Sequence, residues 1–140
     1  MRRAAFLVLA LALGAAACSG SNSDSSTPPT TPTVPKATDT LSGTVSLKGS
    51  DFRPFTVTTT GQVDVTLTAA GPPAAIVMGV AIGTTGSGSC ALIPNSSTLT
   101  AAGTSPQVSG ILSPGTYCVQ VYDVGNQTDA VSWTATVLHP

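Results

Sequence analysis

Few side chains in this sequence could do covalent or acid–base chemistry. There are three cysteines, Cys18, Cys90 and Cys118, one histidine, His139, and six aspartates with no glutamate. His139 stands one residue from the C-terminus, where a tail position predicts mobility, and a general base must be held within hydrogen-bond reach of its substrate. No Ser-His-Asp set can be assembled around such a histidine, and no Gly-x-Ser-x-Gly elbow is present. Clusters of His and Cys at metal-ligand spacing are also missing, so no catalytic residue, metal or cofactor is expected. Asp123, Asn126 and Asp129, beside Gly125, offer oxygen atoms of the kind calcium takes. Asp-x-x-Asn is equally ordinary turn chemistry, and that reading is preferred. The Gly-rich run 83–89 lacks the following lysine and helix of a phosphate cradle and reads as a loop tip.

Two features remain. Cys90 and Cys118 are expected to form a disulfide if the chain is exported to an oxidising compartment, closing a loop of about 28 residues. Tyr122 is the one large aromatic expected on an outward face, and with Gln120 it is a candidate contact for a protein or polysaccharide ligand.

The elements that would position these residues are strands. In Ser113-Pro-Gly-Thr-Tyr-Cys-Val-Gln-Val-Tyr-Asp-Val-Gly-Asn126 a Pro-Gly turn launches a strand with Tyr117, Val119 and Val121 on one face and Cys118, Gln120 and Tyr122 on the other. Alternation predicts an earlier strand over 41–48 with Leu41, Val45 and Leu47 inward. A second, over 52–60, buries Phe55 and Val57, with Pro54 marking an edge or bulge. Val63, Val65, Leu67 and Ala69 face inward on a third. The run 74–82 carries Ile76, Met78, Val80 and Ile82 on one side and only small residues or Val77 on the other, which suits a central strand covered on both faces. Short strands over 90–93 and 97–101, a lead-in over 107–112 and a last strand burying Val131, Trp133, Ala135 and Val137 complete the pattern. Eight or nine short strands separated by Gly, Pro and Asn turns predict an all-β, antiparallel two-sheet sandwich, jelly-roll-like, with the strand order left open.

The first seventeen residues read as an address. Met1-Arg-Arg3 is a positive cap, an apolar run follows over 4–17, and it is too short to span a bilayer, which needs roughly 20 residues. Ala15-Ala16-Ala17 closes the run immediately before Cys18. A cysteine in this place resembles the bacterial lipobox, and the resemblance implies cleavage before Cys18, acylation of its thiol and a membrane anchor. Acylation of Cys18 leaves Cys90 and Cys118 as an even pair. The same three alanines satisfy an Ala-x-Ala cleavage site that releases a soluble chain, and that alternative stays open. Ser19 in place of Asp leans towards the outer membrane or surface over the inner membrane.

Residues 18–40 are rich in Ser, Thr and Pro, too poor in apolar side chains to offset the entropy of ordering, and read as a disordered linker. A net charge of −1, from five Lys or Arg against six Asp, creates no field to attract nucleic acid.

Residues 41–138 resemble the bacterial pre-peptidase C-terminal domain, a secreted jelly-roll-like module. Gly49-Ser-Asp-Phe-Arg-Pro-Phe-Thr-Val57 is similar to that family's entrance motif, and 113–121 is similar to its Pro-Gly-Thr-Tyr-x-Val-x-Val segment. The resemblance implies a module that accompanies secreted peptidases and, in some members, binds calcium or extracellular polymers. Only Asp51 stands where related domains carry several acidic residues. Together these features lead to the expectation of a non-enzymatic, lipid-anchored envelope protein acting as a binding or structural accessory on a flexible stalk. The rivals are an accessory to a separately encoded protease or polysaccharide enzyme, and a hydrolase with an unrecognised site.

Overall fold

The computed structural model describes residues 34–140. The expected signal peptide (1–17), Cys18 and most of the expected linker lie outside the described residues. Alternating apolar and polar side chains fold as eight strands: β1 (Ala37–Val45), β2 (Ser50–Val57), β3 (Gly61–Gly71), β4 (Met78–Gly86), β5 (Ser89–Thr100), β6 (Val108–Leu112), β7 (Gly115–Tyr122) and β8 (Val131–His139). They form two antiparallel four-stranded sheets, ordered β1-β8-β3-β6 and β2-β7-β4-β5. Every connection crosses from one sheet to the other except the β4–β5 hairpin. That is jelly-roll wiring, so the expected sandwich is the observed one.

The interior is filled from both sheets. Trp133, Leu67, Met78 and Ile82 are its largest fully buried side chains, set among Val45, Val57, Val63, Val65, Val80, Val119, Val121 and Val131. Valine suits this role because its branched Cβ packs well on a pleated, half-buried surface. Pro54 lies on β2, an edge strand, the place in a sheet where a residue without an N–H is tolerated.

The strands depart from the sequence reading at several points. β1 begins at Ala37, paired with His139, and ends at Val45. Leu47, expected inward, is 50% exposed because the chain turns at 46–49, where Lys48 has a φ of 55° and Gly49 N–H donates to Ser46 O. Ala69, expected inward, is exposed, and Ala70 is buried instead, because a bulge between Leu67 and Ala69 shifts the alternation by one residue. Only Ser87 and Gly88 of the run 83–89 form a turn, both at positive φ: β4 continues to Gly86, which pairs with Ser89 of β5. The two short strands expected over 90–101 are one, β5, interrupted by an irregularity that matches Ala81 to Ser97 and Gly83 to Leu92.

Candidate functional site

The face that gathers the sequence-predicted contact residues is the outer surface of the β2-β7-β4-β5 sheet. On β7 the inward residues Val119 and Val121 are fully buried, so Cys118, Gln120 and Tyr122 project outward. Register sets their neighbours on β4: Tyr122 is opposite Gly79, Gln120 opposite Ala81 and Cys118 opposite Gly83. On the far side Phe52 of β2 is opposite Gln120, and Leu99 of β5 is opposite Gly79.

Gly79 explains how Tyr122 is held. A Cβ added at Gly79 would fall within the Tyr122 ring, against its Cζ and both Cε atoms, so the aromatic ring lies flat across the glycine. Glycine in a strand interior often marks such a close approach, and an aromatic residue packed over it restores the cover that the missing side chain would give. The outward placement of Tyr122 and Gln120 is legible in the alternation of β7, whereas Gly79 escapes it, although a glycine in the middle of an otherwise apolar strand is a signal of such a close approach. Tyr122 and Gln120 are each half-buried. Among the described residues neither the Tyr122 hydroxyl nor the Gln120 amide has a side-chain hydrogen-bond partner.

The same face is stapled. Cys90 and Cys118 stand at disulfide-bonding distance, with Cα atoms 6.0 Å apart, and Cys118 is fully buried although it points outward. A side chain at Gly83 would meet Cys90 Sγ at 2.7 Å and Ala91 O at 2.6 Å, so the crosslink passes over a position that only glycine leaves open. The cysteine pair therefore holds β5 against β7 across β4.

The ionisable groups have a different distribution. Asp51 points inward from β2 and reaches the other sheet, where its Oδ2 accepts the Trp133 indole N–H at 3.0 Å and the Thr44 backbone N–H at 3.1 Å. Its Oδ1 pairs with Arg53 at 2.7 Å. Asp64 lies on the outer face of the other sheet. It accepts from Gln62 at 2.8 Å and Ser109 at 2.7 Å and stands 3.6 Å from Lys36 Nζ. The Gln62 amide above all, with Ser109 and Lys36, holds the Asp64 carboxyl below its ordinary range against the opposing effect of burial. Asp123 accepts backbone N–H groups from Lys48 and Gly125, each at 2.7 Å, and these bonds, Lys48 first, lower its pKa. The Asn126 side-chain amide donates to Val77 O at 3.1 Å, not to the Asp123 carboxyl. These are turn contacts, and among the described residues no group of three or more His, Cys, Asp or Glu could hold a metal ion.

His139 requires a correction. Its ring is buried, not mobile: it packs on Phe55 at a centroid distance of 5.8 Å, and its Nε2 lies 3.1 Å from Asp39 Oδ2. The tail is held because β8 extends through His139, paired with β1, and Pro140 is buried behind it. With Nε2 on Asp39 and Nδ1 3.4 Å from Pro140 O, both ring nitrogens face partners within the frame.

No family model matches the chain, and no curated protein matches it.

Proposed function

We propose that the chain is a bacterial envelope lipoprotein, anchored through an acylated Cys18, whose sandwich serves as a non-enzymatic contact module at the end of a Ser/Thr/Pro-rich tether. The observation that supports it most is how the polar groups are divided. Asp39, Asp51, Asp64 and Asp123 are each engaged in holding strands or turns together. Tyr122 and Gln120, whose polar ends take no part in that framework, lie on a crosslinked sheet face whose outward strand positions are uncharged, and are suited to adhesion rather than bond-making.

The resemblance to pre-peptidase C-terminal domains favours a second reading, an accessory to a separately encoded secreted enzyme. The two stretches that carry it are neighbours in space, since β2 and β7 pair from Ser50 opposite Tyr122 to Val57 opposite Gly115. Recovery of the intact lipoprotein from its own envelope tests both readings. Intact-mass analysis should show acyl groups on an N-terminal Cys18, and a peptidase or polysaccharide enzyme recovered in stoichiometric amount would select the accessory role. An unmodified N-terminal cysteine would remove the anchor from the proposal.

A further inference from the structure

We infer that the outer face of the β2-β7-β4-β5 sheet is a platform for a neutral glycan, on which Tyr122 stacks against the apolar face of a pyranose while the Gln120 amide bonds to its hydroxyls. The inference rests on the contact-module reading and names its ligand class.

Three observations carry it. First, the Tyr122 ring is preorganised. It lies flat on the strand because Gly79 has no Cβ to lift it, so one ring face rests on backbone while the residue, on the outward side of β7, keeps part of its surface accessible. A ligand that stacks on it orders little that is not already ordered. Second, the polar groups are placed for a ring that is apolar on its faces and hydroxylated around its rim. Gln120 is the next outward residue along β7, about 6.6 Å from Tyr122. The Tyr122 hydroxyl and the Gln120 amide both lack side-chain partners among the described residues. Third, the outward positions of all four strands carry no charged side chain. Asp51 and Arg53 point inward from β2, and Asp123 lies beyond the end of β7. Lys48 and Asp123 meet in the turn contact beyond the ends of β2 and β7, so on the outward strand positions themselves an anionic ligand would find no counter-charge, whereas an uncharged sugar chain needs none. No cavity is present among the described residues, so an extended polymer lying across an open face suits the surface better than a small molecule enclosed by it.

The test is co-sedimentation of the detergent-solubilised mature protein with four insoluble neutral polysaccharides (cellulose, chitin, curdlan and mannan), with an anionic polysaccharide resin alongside. Retention on at least one neutral polymer is expected, without retention on the anionic resin. Tyr122→Ala should weaken it about tenfold, while Tyr122→Phe keeps most of it. Gln120→Ala should weaken it as well. Gly79→Ala, which touches no ligand atom but lifts the ring, should lose as much as Tyr122→Ala, with folding of each variant checked by its melting transition. Failure to sediment with any of the four polymers, or undiminished binding by folded Tyr122→Ala, overturns the glycan inference. If the polymers fail while a photo-crosslinker at position 120 captures an envelope protein, the glycan class falls and the contact-module reading stands. If both fail, both fall.

Discussion

Asp51 and Trp133 stand on opposite sheets and are joined directly, the indole Nε1 donating to Asp51 Oδ2 at 3.0 Å. Trp133 is 2% exposed, so its N–H has no ready access to water if that oxygen is removed. An orphaned buried donor costs about 1–3 kcal/mol. Asp51→Ala is therefore expected to lower unfolding stability by about 2 kcal/mol, read as a shift in urea midpoint with the slope unchanged. Gly43→Ala should give a comparable loss, because a Cβ there collides with Asp51 Oδ2 and comes within 2.9 Å of Arg53 Nη2 and Trp133 Nε1.

The Cys90–Cys118 crosslink spans a sequence separation of 28. In the chain-entropy picture a loop of that length is worth roughly 3–4 kcal/mol. Replacing both cysteines with alanine should lower the unfolding free energy by about that amount, read as a fall in the denaturation midpoint. Thiol titration of the unreduced, denatured protein should find no free thiol at Cys90 or Cys118.

Acid should act partly through Asp64. Its folded pKa is depressed below the ordinary 3.8, so the stability it contributes is fully present above the unfolded value and is lost as pH falls through the folded one. Measured between about pH 5 and pH 2, the fall in stability should be shallower in Asp64→Asn than in the native protein. An identical acid limb in the two would show that the Gln62 and Ser109 contacts carry no linkage.

His139 closes the end of the sandwich where β1 and β8 begin and finish their pairing. His139→Ala removes the ring from Phe55 and the partner from Asp39, with a cost of about 1–2 kcal/mol. The effect should be local. Amide exchange at Thr38 to Thr40 is expected to accelerate, while that at Val119 and Val121 changes only as global stability does.

Much of this fold can be read from the chain because its signals are local. Val119, Val121, Trp133 and Val137 alternate without interruption, and the strands that carry them form where alternation places them. Legibility fails wherever one residue breaks the period, as at the β3 bulge that exchanges Ala69 for Ala70. It fails again for His139, whose position in sequence resembles a frayed tail. Only the long-range pairing of Ala37 with His139 reveals it as the end of a buried strand. The proposed contact face is half legible in the sequence: β7 alone displays Gln120 and Tyr122, but the glycine that lays the tyrosine flat belongs to β4 and meets it only through register.

The most direct measurement is site-specific photo-crosslinking in the living cell, comparing a probe at Gln120 on the outer face of β7 with one at Ser42, exposed on the outer face of β1 in the other sheet. Adducts to an envelope component from position 120 and none from position 42 are the expected result. Adducts from position 42 alone, or from neither position, would contradict a contact surface centred on Tyr122.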